Sequence, residues 1–197
     1  MNIHLLPTAN RKSGTPSFLP ELERLDSERT ATVKEFGRVV LRAITPADEK
    51  PMIRFHESLS EEGIYLRYFE HISLDTRTLH ERLARVCSNS ADSYAIVAVR
   101  HETSHHPEEI MAVGRLTTTE KPESASFALL MSDQAMTTEL PEHMLTRLIE
   151  IARAQGFKAV EGELLVCDHD TLTLCRKLGF NTRTILEEGF VRVNLAI

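Results

Sequence analysis

Nowhere in its 197 residues does the chain carry an apolar run near the 18 or so residues that a membrane-crossing helix needs, so a membrane is not expected as a partner. The opening stretch MNIHLLPTANRKSG lacks the charged-then-apolar layout of a secretory signal, and the expectation is a cytoplasmic protein. Basic residues are also in short supply. Lys and Arg number 23 against 29 Asp and Glu, a formal charge of −6, whereas a grip on phosphodiester backbones needs concentrated positive charge; nucleic acid is not an expected partner. Cysteine is scarce and never paired as CxxC, which leaves no readable zinc site and no disulfide framework; Cys87, Cys167 and Cys175 read as buried reduced thiols. His101, His105 and His106, with Glu102, Glu108 and Glu109, form the one histidine-rich patch. Adjacent histidines in a polar loop seldom converge on one ion, so no metal is expected. Internal repeats and low-complexity segments are absent too.

What is present is an ordinary globular composition, 42% hydrophobic and 26% charged, enough for one domain with a core. Residues 1–36, with Pro7, Pro16, Pro20 and Gly14, read as an N-terminal arm in which only the Pro20–Glu28 piece could form a short helix. Residues 37–197 read as the domain. Phe36–Ile44 predicts a strand closed by Thr45-Pro46, a helix-start signal. Apolar spacing then predicts helices over 47–59, from Ser60 to Phe69, and over 73–86, with Leu74, Leu79, Leu83 and Val86 on one side of the last. Tyr94–Val99 and Ile110–Thr117 read as a hairpin and Ser124–Met131 as the next strand. A helix over 144–154, a strand over 159–166, a helix over 168–178 ended by Gly179, and a closing strand over 190–196 complete an α/β chain.

Two segments carry a resemblance. Val40–Phe69 (VLRAITPADEKPMIRFHESLSEEGIYLRYF) is similar to the opening of the bacterial protein-lysine acetyltransferase branch of the GNAT superfamily, and Leu148–Phe180 is similar to that family's helix, strand and closing helix ending in K-L-G-F. With the hairpin between them the likeness spans most of the chain. It implies a GNAT fold: a mixed, mostly antiparallel sheet, flanked by helices and splayed between its fourth and fifth strands. It also implies acetyl-CoA as co-substrate, an amine or protein-lysine acceptor, and a fold that allows a homodimer. In such a fold the pyrophosphate sits on a helix N-terminus, where unpaired N–H groups and the dipole favour an anion.

On this resemblance the cofactor-binding positions are Leu130 and Met131 at the strand end, the loop Met136, Thr137, Thr138, Glu139, Leu140 and Pro141, and Asp168 at the cap of the closing helix. The family's loop glycines fall on Glu139 and Pro141. A carboxylate there would oppose a dianion by about 1–4 kcal/mol, and proline removes a donor. The catalytic base falls on Ser126, whose hydroxyl cannot hold a proton at neutral pH, with Glu123 three residues earlier on the opposite strand face unless a bend intervenes. The tyrosine that reprotonates the CoA thiolate falls on Cys175, while Arg67 and Tyr68 fall where the acceptor pocket is lined. The implied function is N-acetyl transfer. The altered positions raise an alternative, a catalytically impaired GNAT-fold domain that binds an acyl-CoA, another ligand or a protein partner in a regulatory role.

Overall fold

Short β-branched and aliphatic runs make strands here, and the spacing of the apolar residues between them makes helices that cover both faces of the resulting sheet. The computed structural model describes residues 16–18, 28–101, 108–185, 187 and 189–197. In chain order the elements are β1 (Arg29–Val33), β2 (Gly37–Ala43), a 3-10 turn (Pro46–Asp48), α1 (Glu49–Glu57), α2 (Glu61–Tyr68), α3 (Leu74–Arg77), α4 (His80–Val86), β3 (Ser93–Arg100), β4 (Glu109–Thr118), β5 (Ser124–Met131), α5 (Asp133–Met136), α6 (Leu140–Ala154), β6 (Ala159–Leu165), α7 (His169–Lys177), β7 (Asn181–Ile185) and β8 (Phe190–Ala196). The eight strands lie in the order β1-β2-β3-β4-β5-β6-β8-β7, antiparallel throughout except for the parallel β5–β6 pair.

Strand alternation divides the core in two. Tyr94, Ile96 and Ala98 of β3 join Leu145, Leu148 and Ile151 of α6 on one face, whereas Ala95, Val97 and Val99 join Phe55 of α1, Ile64 of α2 and Leu83 of α4 on the other.

Several sequence expectations change. The sheet begins eight residues before Gly37, because Arg29–Val33 folds back on β2 through a hairpin whose Gly37 takes φ 71°. Part of the expected arm belongs to the core: Phe18 is fully buried, donates its N–H to the Ala91 carbonyl at 3.1 Å, and packs on Tyr94 and Phe157 at 6.1 and 5.1 Å. The expected helix at Pro20–Glu28 and the histidines His105 and His106 fall outside the described residues, apart from Glu28. The helix expected over 73–86 is two, α3 and α4, broken at Thr78, so that Leu79 is 57% exposed and not in the core. In the helix expected from Ser60 to Phe69, Ile64 is buried while Tyr65 and Phe69 are exposed. Helix α6 starts at Leu140, a turn earlier than the apolar pattern alone suggested, and Asn181–Ile185 adds a strand.

At the junction of β2 and α1, Arg42 donates two hydrogen bonds to Asp48 at 2.7 and 2.8 Å, and the Thr45 N–H donates to the same carboxylate at 2.8 Å. Burial favours the neutral Asp48 carboxyl, but the Arg42 fork and the Thr45 N–H outweigh it and hold its pKa below the ordinary aspartate value.

The parallel pair is short. Strands β5 and β6 pair only at Ser124–Ala159, Ala125–Val160 and Ser126–Glu161, although each runs on for several residues beside its outer neighbour, β5 with β4 to Met131 and β6 with β8 to Leu165. The sheet therefore forks after Ser126. Phe127 wedges that fork: its ring lies so close to Gly162 that a Cβ there would come within 2.7 Å of it, and Phe180 backs the ring edge-on at 5.6 Å. Gly162 is required for space, not for backbone freedom.

Two outcomes follow. A Gly162→Ala variant loses about 1–3 kcal/mol of stability in urea unfolding, because the ring cannot yield without displacing Phe180. An Asp48→Asn variant loses about 1–3 kcal/mol at pH 7. A carboxyl with a depressed folded pKa contributes above its unfolded pKa and loses that contribution as pH falls through the folded one, so the gap to wild type should close below about pH 4.

Candidate active site

Beyond Ser126 and Glu161 the facing edges of β5 (127–131) and β6 (162–165) have no ladder partner. Two unpaired strand edges at a widening gap are complementary to an extended chain that carries its own amides, as in strand addition to any open edge. Leu130 and Met131, at the wide end, are buried on opposite faces and offer the cleft their backbone alone.

The apex holds the polar groups. Ser126 lies opposite Thr117 of β4 on one side and Glu161 of β6 on the other. Neighbours in a sheet share a face and sit about 4.8 Å apart, so the Glu161 carboxylate is brought beside the Ser126 hydroxyl on the face covered by α1–α4. Glu161 is 19% exposed in its side chain and accepts a hydrogen bond from Lys121 at 2.6 Å, Lys121 being mostly exposed. Sequence reading missed Glu161, since nothing along the chain reveals which residue of β6 stands beside Ser126; its placement opposite the core-facing Val160 was the only signal. Glu123 does sit at a bend, with φ 61°, but it is exposed and precedes β5; its carbonyl accepts from the Lys158 and Ala159 N–H groups and so starts the parallel pair.

Helix α2 crosses the fork on that same face. Its N-cap Ser60 donates to Asp133, just past the end of β5, at 2.8 Å, and Phe69 at its other end packs edge-on against Phe190 of β8 at 4.9 Å. Phe69 takes φ 62°, an uncommon conformation for a bulky residue, which that contact holds in place. Arg67 and Tyr68 thus lie over the open strands, Arg67 with its guanidinium 4.9 Å from the centre of the Tyr68 ring.

At the wide end, the tip of α6 is built without glycine. The extra turn α5 leads in, Thr138 accepts from the Leu140 N–H at 3.1 Å, and Glu139 has ordinary helical dihedrals. With Leu140 satisfied, Pro141 lacking an N–H and the His143 N–H donating to the Glu139 carbonyl, Glu142 keeps the one backbone donor of the first turn without a described partner. Met136 is half-buried, Thr137 and Glu139 are exposed, and Lys177 pairs with Glu142. Asp168 is buried and caps α7 by accepting from the Thr171 N–H at 3.1 Å; burial raises its pKa. Cys175 is fully buried in the core on the α6 face, across the sheet from Ser126, and burial pushes its thiol up to about 12. Cys167 is exposed, where a buried thiol was expected, while Cys87 is buried.

Apart from the fork, a groove of about 370 Å³ lies between β1 and α6, edged by Arg29, Thr30, Glu142 and Thr146. Among the described residues no cluster of metal-ligating side chains forms, and no helix is long and apolar enough to cross a membrane.

No family model matches the chain. Among solved structures, the GNAT domain of S. lividans PAT superposes with a TM-score of 0.73 at 20% identity, covering 86% of this chain and 97% of that one. Mycobacterium smegmatis RimJ in complex with CoA-disulfide gives 0.70 at 12% identity, over 92% and 90% of the two chains. The PaiA N-acetyltransferase of Thermoplasma acidophilum in complex with coenzyme A gives 0.63 at 12% identity, over 81% and 99%. A mixed sheet forked at its single parallel pair, helices on both faces and these likenesses together show that the chain has the GNAT fold.

Proposed function

We propose that the domain takes acetyl-CoA as co-substrate along the open edges of the fork and transfers its acetyl group to an amine. The observation that carries this reading is the gap after Ser126, with two unpaired strand edges leading from a polar apex to a helix tip. Two of the superposing proteins were solved with CoA or its disulfide, which supports the same reading. A protein lysine is the finer form of the acceptor, suggested by the resemblance to the lysine-modifying branch and by the likeness to S. lividans PAT.

An ammonium must lose a proton before its nitrogen can attack a thioester. Ser126 cannot take that proton, but Glu161 beside it can, and the exposed Lys121 now on Glu161 is a partner that an incoming ammonium displaces at little cost. The C–N bond then forms as the C–S bond breaks; Glu161 returns its proton to the departing thiolate and, ionised again, takes the second proton from the new amide nitrogen and passes it to solvent, so that one proton is released per turnover. Ser126 orients the amine by hydrogen bonding. Cys175, with its thiol near 12 and its place in the core, serves packing in this reading. Leu130 and Met131 hold the extended arm of the co-substrate by their backbone groups, residues 136–141 face its phosphates, and Asp168 positions the start of α7.

The helix tip favours a second reading, a domain that binds an acyl-CoA weakly and acts without turnover. Its first turn retains a single donor, and Glu139 opposes a phosphate.

Calorimetry with acetyl-CoA, followed by thiol release with lysine-bearing acceptors, separates the two; no heat at millimolar ligand would remove both. Under the first reading Glu161→Gln lowers kcat by about 10²–10⁴-fold while leaving acetyl-CoA affinity unchanged. Loss of affinity with unaltered kcat would assign Glu161 to binding alone. Glu139→Gln combined with Pro141→Ala removes the opposing charge and restores an N–H. It should tighten CoA binding by about tenfold; unchanged affinity would mean that the phosphates sit elsewhere.

A further inference from the structure

Four arginines meet a carboxylate: Arg42 meets Asp48, Arg100 meets Glu109, Arg147 meets Glu150 and Arg192 meets Glu163. Four others, on α2, α3, α4 and β4, do not. Arg67 and Arg82 flank the Tyr68 ring at 4.9 and 5.3 Å from its centre. Arg115 of β4 donates to Ser93 at 2.7 Å and to the Val86 carbonyl. Arg77, buried, donates to the carbonyls of Ile72 and His56. Among the described residues none of the four has a carboxylate partner, although the chain carries an excess of acids.

Their mutual repulsion is legible in their neighbours. Burial first, and then Arg67, brings the Arg115 pKa down to about 10. Burial, and then Arg77 and Arg82, brings buried His56 down to about 4, and its Nδ1 has no partner among the described residues. Half-buried cations gathered without a counter-charge cost stability, and an incoming anion would offset that cost. A guanidinium fork matches a carboxylate or phosphate oxygen pair better than an ammonium does.

The position is as telling as the charge. Arg115 stands opposite Ala128 on β5, two residues beyond Ser126 on the same face. Two strand residues span about 7 Å, and α2, the helix that carries Arg67, packs on the same strand. We propose that the acceptor amine carries an anionic group, a carboxylate or a phosphate, several bonds from its nitrogen, seated between Arg67, Arg82 and Arg115 while the nitrogen lies at Ser126 and Glu161. The seat depends on the transfer reading for the amine but not for the anion.

Matched pairs test it on the full chain: 4-aminobutyrate against butylamine for the carboxylate, and O-phosphoethanolamine against ethanolamine for the phosphate, in thiol release from acetyl-CoA. The anionic member of one pair or both should show a kcat/KM at least about tenfold higher, the pair that shows it naming the anion. Arg67→Gln should abolish the preference through KM, and Arg67→Lys should retain most of it. Calorimetry with 4-acetamidobutyrate against N-butylacetamide reads the carboxylate seat, and O-phosphoethanolamine against ethanolamine the phosphate seat, without turnover. Thermal melts check that the variants fold. If acetyl-CoA does not bind but an anionic probe does, in an Arg67-dependent way, the transfer reading falls and the seat stands. If both members of each pair turn over equally, or the preference survives Arg67→Gln combined with Arg82→Gln, the seat falls and transfer stands.

Discussion

Three residue pairs govern the molecule. Strands β5 and β6 are joined only from Ser124 to Ser126 and from Ala159 to Glu161, and the rest of the structure keeps them apart afterwards. Each strand goes on pairing with its outer neighbour, so the fork costs hydrogen bonds on one edge only of each strand. The Phe127 ring against Gly162, backed by Phe180, occupies the space where further pairing would close the sheet. Glu123 starts the pair from a left-handed turn, and Phe69, also left-handed, ends the helix that spans the gap. Strain thus sits at both ends of the opening, as expected where packing holds a backbone shape that local preference would relax.

Charge is distributed along that opening in an order that matters for chemistry. A carboxylate stands at the apex beside a hydroxyl, arginines without acidic partners among the described residues flank Tyr68 of the crossing helix, and acids with a proline crowd the helix tip. In the proposed reading a tip poor in donors puts more of the hold on the strand edges, which offer amide hydrogen bonds to any extended chain regardless of the residues that build them. That is why a loop without glycine is compatible with the fold: α5 and the Thr138 cap turn the chain from strand to helix with ordinary dihedrals, and no position there needs φ above zero.

Much of this was legible beforehand. Ser124–Met131 and Phe190–Ala196 are strands to the residue, because alternation and flanking polar residues mark both ends. The extra edge strand Arg29–Val33 was hidden because its two-residue alternation is short and its stability comes from β2. The broken helix over 73–86 looked continuous because Leu79 fits an apolar stripe, yet Thr78 ends α3 and Leu79 serves as a cap in solvent.

Local periodicity and caps by themselves determined the strands, most helices, and which residues stand at the loop after β5, since those depend on neighbours a few positions away. The resemblance carried in two stretches of sequence then indicated the forked sheet. What only the tertiary structure decided was lateral: that Glu161 stands beside Ser126, that Cys175 lies on the other face, that Phe18 enters the core, and that Arg67 and Arg82 meet around one aromatic ring. Register between strands and the crossing of a helix over a sheet depend on contacts between residues far apart in the chain, and no local pattern encodes them.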